Sequence, residues 1–103
     1  MRRRTVDYSL RANRDFAWIY GTVAEVGGTR IAFNYVQRVR AFCEKLEYGS
    51  ERGTRRDELR PGLRVVGFER RISVAFMVEP ERVVILRVFY GGMDWENEFG
   101  DND

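Results

Sequence analysis

Two arginines in the segment Glu69-Arg70-Arg71 lie between apolar runs, at what reads as a hairpin tip, and a guanidinium pair there can grip phosphate or carboxylate in forked hydrogen bonds. The ordinary alternative is a solvated turn. Downstream, Tyr90, Met93 and Trp95 flank Gly91-Gly92, so a flexible glycine pair would set an aromatic cluster at the end of a strand, a composition suited to binding. The structural alternative is that Trp95 packs the C-terminal segment back onto the sheet. Arg70, Arg71, Tyr90, Met93 and Trp95 are therefore the candidate target-binding residues. Arg87 interrupts the apolar run Val83–Tyr90, and a guanidinium buried there needs a partner, inside the fold or at the functional face.

Other chemistry is poorly supplied. With no histidine and one cysteine, Cys43, neither a zinc site nor a histidine general base can be assembled, and no internal disulfide can form. Cys43 reads as a small core residue on a helix. Neither Gly27-Gly28 nor Gly91-Gly92 has the lysine and the strand-to-helix spacing of a phosphate-cradling loop. Asp57, Glu58, Glu69 and Glu79 are scattered and read as solvated carboxylates. Catalytic, cofactor-binding and metal-binding residues are accordingly expected to be absent, as is a small-molecule substrate.

Charge narrows the partner. The chain carries 18 basic residues, 17 of them arginine, against 16 acidic ones, and five of the acids (Asp94, Glu96, Glu98, Asp101 and Asp103) follow the last basic residue, Arg87. The body is basic and the tail, about 94–103, is acidic. A basic body suits an anionic partner, either nucleic acid or an acidic protein segment, although an arginine-rich solvated surface has the same composition. No apolar run approaches the ~20 residues of a membrane span. Met1-Arg2-Arg3-Arg4 leads into a strand rather than a signal-peptide core, so a cytoplasmic protein without membrane contact is expected. The length of 103 residues suits a single domain, 1–103.

These candidates must be positioned by a small set of elements. Thr5–Leu10 alternates, with Val6, Tyr8 and Leu10 on one face, and predicts a half-buried strand. Asn13 can cap a helix over residues 14–26, in which Phe16, Ile19 or Tyr20, and Val23 recur at helical spacing; Trp18 falls off that face. After Gly27-Gly28, Thr29 is placed to cap a second helix with Ala32, Val36, Val39, Cys43 and Leu46 as its core stripe and Arg40–Glu44 as a surface pair. The polar stretch 47–60 reads as a loop with a short helical turn, and Pro61-Gly62 as a turn. Val65–Phe68, Ile72–Val78 and Val83–Tyr90 are rich in β-branched and aromatic residues, and the breaks between them are too short for parallel crossovers. Hairpins must connect them. The architecture expected is two-layer α+β, strand, helical hairpin and three-stranded antiparallel meander (β-α-α-β-β-β). The four strands are expected to form one antiparallel sheet whose far face is partly open to a partner.

The ordered set of DFAWIYGTVAEVGG, YVQRVRAFCEKL, ERGTRRDELRPGLR, the three strands and FYGGMDWE resembles the RelE/ParE superfamily of type II toxin–antitoxin toxins, closest to the ParE branch, over roughly residues 5–96. The resemblance implies a small growth inhibitor, associated with plasmid stabilization, that forms a hetero-oligomer with a ParD-like antitoxin whose C-terminal segment wraps it. It also implies one of two targets. ParE-like members poison DNA gyrase without chemistry of their own, whereas RelE-like members are metal-independent, ribosome-dependent mRNA endonucleases that place basic residues on the central strands and just past the last one. Here Ile72-Ser73-Val74 and Gly92-Met93-Asp94 occupy those places, which favours the gyrase reading; many ParE-like relatives carry a basic residue where Met93 stands, so a degenerate antitoxin-binding member is a further alternative.

Overall fold

A computed structural model describes residues 4–91; Met93, Trp95 and the acidic tail, proposed above from the sequence, lie outside the described residues. Strand β1 (Thr5–Tyr8) is followed by helices α1 (Leu10–Gly27) and α2 (Thr29–Glu44), a 3-10 turn (Lys45–Glu47), and strands β2 (Thr54–Arg55), β3 (Leu63–Phe68), β4 (Ile72–Val78) and β5 (Arg82–Tyr90). The sheet order is β1-β5-β4-β3-β2. The meander β3-β4-β5 is antiparallel as its short connections require. In two respects the sheet differs from expectation. β1 runs parallel to β5, Thr5 opposite Arg82 and Tyr8 opposite Ile85, because the helical hairpin carries the chain across the sheet to β3, and the antiparallel meander then returns β5 to the side of β1. A fifth strand, β2, pairs with β3 inside the stretch read as a loop. It contains only two residues and so has no periodicity to detect. Gly53 makes the approach possible: its φ is 77°, and a Cβ there would lie 2.5 Å from the Val65 carbonyl oxygen.

The helix boundaries follow from capping. Ser9, not Asn13, begins α1, its Oγ accepting from the Ala12 N–H at 3.0 Å. Leu10 consequently turns outward as the first helical residue instead of continuing the strand face, and is 66% exposed. Gly28, with φ 88°, links the helices and occupies the N-cap of α2 without a side-chain bond, so Thr29 is the first residue of the helix rather than its cap. The expected core stripe is buried: Ala32, Val36, Val39 and Cys43 on α2, and Leu46 on the 3-10 turn that continues it. Val36, Val39, Cys43 and Leu46 cluster with Phe16 and Ile19 of α1 and with Ile72, Val74, Phe76, Val83, Ile85 and Val88 of the sheet. Burial pushes the Cys43 thiol up to about 12, so it stays protonated. Arg40 and Glu44 do not form the expected surface pair. Arg40 lies 4.1 Å over the Phe16 ring, while Glu44 accepts a 2.6 Å bond from the Tyr8 hydroxyl.

The far face of the sheet is partly covered. Leu63, Ala75 and Phe89 form a second buried cluster there, with Leu59, Val65, Met77 and Leu86 packed against it. A bulge supports both clusters: Ala75 pairs with Arg87 but Phe76 with Ile85, leaving Leu86 as the extra residue. β5 thereby sends Val83, Ile85 and Val88 toward the helices and Leu86 and Phe89 to the other side.

Arg87 finds its partner in α1. Its Nε and Nη2 donate to the two carboxylate oxygens of Asp15 at 2.8 and 3.0 Å, and Asp15 Oδ2 also accepts the Val88 N–H at 2.8 Å. Both side chains are mostly buried, at 12% and 15% exposure. Removing one member leaves a poorly solvated charge. Asp15→Ala should therefore lower the unfolding free energy in urea by roughly 3 kcal/mol. Asp15→Asn should cost less, since an amide oxygen can still accept from Val88. The raised thiol pKa predicts a second outcome: at pH 8 Cys43 should resist a chromogenic disulfide reagent in the native protein and react promptly in denaturant.

Candidate functional site

The hairpin between β3 and β4 turns through Glu69 and Arg70, both left-handed, with φ of 50° and 68°. Such positions usually hold glycine or asparagine. Charged residues here accept a strained backbone, and the strain keeps two adjacent guanidiniums, Arg70 and Arg71, at the tip. The turn is tied down on two sides. Arg38 of α2 makes a forked pair with Glu69, Nη2–Oε1 3.0 Å and Nε–Oε2 3.3 Å, and the Arg71 carbonyl accepts the Gly91 N–H at 2.8 Å.

That second bond joins the two halves of the sequence-based site. Ile72 lies opposite Tyr90, so the register of the β4–β5 hairpin brings Tyr90 beside Arg71 at one end of the sheet. Tyr90 is half-buried, and two rings stand on it: Trp18 of α1 at 6.3 Å and Tyr35 of α2 at 5.9 Å, both edge-on. Arg38 covers the Tyr35 ring at 5.1 Å. Trp18 is 53% exposed. Met93 and Trp95 lie outside the described residues, so Arg70, Arg71 and Tyr90 are the members of the predicted site that the fold brings together. Trp18, Tyr35, Arg38 and Glu69 are additions. Of these Trp18 carried a sequence signal, as an aromatic off the core stripe of α1, and Glu69 stood in the tip segment but read as a solvated carboxylate; Tyr35 and Arg38 depend on where α2 crosses the sheet.

The described surface is cationic and aromatic, with the Glu69 carboxylate held by Arg38. Burial raises the Tyr35 pKa, and Tyr90 and Glu69 nearby raise it further against the opposing pull of Arg38 and Arg71. Its phenol oxygen is buried without a hydrogen-bond partner among the described residues. Burial, then the hydrogen bond to Glu44, raises Tyr8 as well, and that ring sits at the β1 side of α2. Both phenols remain protonated at neutral pH. Among the described residues no cluster of acidic or sulfur ligands could hold a metal ion, and no helix is long and apolar enough to cross a membrane.

Residues 6–95 match the model of the ParE toxin of the type II toxin–antitoxin system parDE. The chain belongs to the ParE toxin family. Its structure is similar to that of the chromosomal ParDE toxin–antitoxin system from P. aeruginosa, with TM-score 0.75 and 25% identity over 85% of this chain and 96% of that one. The fold also matches the toxin–antitoxin complex RelBE2 from Mycobacterium tuberculosis, with TM-score 0.63 and 20% identity over 90% of this chain and 97% of that one. No curated protein matches the sequence. The protein is thus a toxin of a type II toxin–antitoxin system, of the ParE/RelE fold.

For this toxin the strained tip separates stability from binding. Glycine removes the steric cost of a left-handed residue, about 1–2 kcal/mol, but loses part of the gain to greater freedom in the unfolded chain. Arg70→Gly should raise the unfolding free energy by about 0.5–1 kcal/mol while lowering growth inhibition. A variant equally toxic and more stable would remove Arg70 from the site.

Proposed function

We propose that this toxin inhibits DNA gyrase by binding, without chemistry of its own, through the surface formed by Arg70, Arg71, Tyr90 and Trp18, and that a ParD-like antitoxin neutralises it in a hetero-oligomer. The observation that carries the reading is the composition of that surface: two guanidiniums on a constrained turn at the end of the sheet where an exposed indole packs on Tyr90, with the Tyr35 phenol beside it kept protonated by burial. Cleavage of RNA requires a group to take the 2′-hydroxyl proton and another to protonate the leaving oxygen. No histidine exists, and Ile72-Ser73-Val74 offers no basic side chain at the start of β4. A gyrase–DNA complex, by contrast, presents both phosphates and protein surface, which guanidiniums and aromatic rings bind well. Membership in the ParE family and similarity to a ParDE toxin support the same reading. Met93 and Trp95 remain proposed contacts of this surface.

Induced cells should filament and show DNA damage while protein synthesis continues, and purified toxin should block supercoiling by gyrase. Replacing Arg70 and Arg71 together by alanine should raise the inhibitory concentration about tenfold, the size of a moderate hot spot, with antitoxin binding retained. Loss of mRNA at ribosomes in a purified translation system, with supercoiling untouched, would overturn the assignment.

A further inference from the structure

At the end of β3 away from the Arg70-Arg71 tip, where β3 begins and β4 ends, a hollow of about 450 Å³ opens. Three guanidiniums line it, those of Arg4, Arg55 and Arg64. Two of them are not solvated surface arginines. The Arg64 side chain is 16% exposed, and its Nη1 donates to the Arg52 carbonyl at 3.2 Å. Arg4 is partly buried, donating Nε to the Glu79 carbonyl at 2.8 Å and Nη1 to the hydroxyl of buried Ser50 at 3.0 Å. Carbonyls and a hydroxyl fix where these charges sit without neutralising them.

The carboxylates nearby are engaged elsewhere or loosely held. Glu79 accepts from Arg82 Nε at 2.7 Å, and Asp57 is shared between Arg55 and the Gly62 N–H. Exposed Glu51 reaches Arg64 Nη2 only at 3.4 Å. Arg4 Nη2, Arg55 Nη1 and Arg64 Nε are left without a partner among the described residues.

Strand pairing sharpens the conflict. Arg55 lies directly opposite Arg64 in the β2–β3 register, and like charges at facing positions destabilise a strand pair. The pairing is not a by-product of a long strand, since β2 has two residues and depends on the left-handed Gly53 for its approach to β3. A short strand that sets one arginine against another breaks a local rule, as functional sites do. An anion held between the two turns one repulsion into two attractions.

We infer that this hollow is an anion site that takes a phosphate group, with Arg4, Arg55 and Arg64 as its ligands. A tetrahedral phosphate offers oxygens in several directions, which suits guanidiniums supplied by the N-terminal segment, β2 and β3. The volume falls within the roughly 300–1,000 Å³ of ligand sites, so a phosphate and the groups esterified to it can enter. The inference goes beyond gyrase inhibition and does not depend on it, because the hollow and the tip lie at opposite ends of β3.

The test compares melting of the purified toxin in about 50 mM inorganic phosphate with melting in chloride of equal ionic strength. Wild type should melt several degrees higher in phosphate. Arg55→Gln is the informative variant, because the side chain is 60% exposed and its loss relieves the repulsion from Arg64. In chloride it should melt at or above the wild-type temperature, and in phosphate it should keep less than about half of the wild-type gain. Arg64→Gln should lose the gain as well, whereas Arg55→Lys, which keeps the charge, should retain most of it. The double variant Arg70→Ala with Arg71→Ala should keep all of it. A short DNA duplex then identifies the source of the phosphate. Duplex binding that weakens at least about fivefold in Arg55→Gln makes the ligand a backbone phosphodiester; a phosphate gain lost from Arg55→Gln without a change in duplex binding makes it a free phosphate, and either outcome supports the site. If phosphate raises wild type and both glutamine variants equally, as a general salt effect would, or raises none of them, the site assignment falls while the gyrase reading stands. If the gain disappears in the tip variant instead, the tip is the phosphate site and the inference is overturned.

Discussion

β5 is longer than the strand beside it, and this mismatch organises the molecule. β1 stops at Tyr8, opposite Ile85, whereas β5 continues to Tyr90. The edge of β5 beyond Ile85 therefore has peptide groups with no strand to pair them, and buried peptide groups must find partners. They find them in the chain that leaves β1. The Ser9 N–H donates to the Ile85 carbonyl, Ser9 Oγ donates to the carbonyl of Leu86, the bulged residue, and Asp15 accepts from the N–H of Val88 while holding Arg87. One turn and a half of helix thus replaces the missing strand.

The direction of α1 follows from this substitution. Ser9 fixes where the helix starts and Asp15 fixes how it lies against the sheet edge, so Phe16 and Ile19 meet the core and Trp18 comes to rest on Tyr90. The salt bridge has a role that its net energy does not measure. A mostly buried pair contributes little over an apolar replacement, but it penalises every packing of α1 in which Asp15 is separated from Arg87. Orientation of the helix, and with it the position of the exposed indole, is what the pair specifies.

The parts of this arrangement that are written locally could be read from the sequence. The α2 stripe from Ala32 to Leu46 and the three apolar strands are repeated patterns, and short breaks force the meander. Arg87 was conspicuous as a charge in an apolar run, but its partner lies 72 residues away and no local pattern names it. The parallel pairing of β1 was hidden for a similar reason, since alternation along a strand states which residues face the core and not which neighbour it joins or in what direction. The cap of α1 was misplaced because Ser9 and Asn13 are both capping types, and only the tertiary bond from Ser9 to Leu86 decides between them. At the site, Arg71 and Tyr90 meet through hairpin register, which short connections nearly determine. Tyr35 and Arg38 depend on the crossing of α2 over the sheet, which side-chain spacing along α2 does not encode.

The tip at Glu69-Arg70 breaks local backbone preference, and its surroundings explain how it persists. Arg38 restrains it from the helix layer and the bond between Gly91 and Arg71 restrains it from β5, so the turn is over-determined by contacts on both sides. A free loop carrying two arginines would lose side-chain and backbone entropy each time it bound a target; here the backbone part of that loss is met once, on folding. The same restraint makes Arg38 a shared resource. Its ion pair is about half exposed, so solvent and salt weaken it, and a competing carboxylate can reach it without opening the core. A turn held by an accessible ion pair keeps Arg70 and Arg71 in place on folding, yet leaves Arg38 within reach of a competing carboxylate.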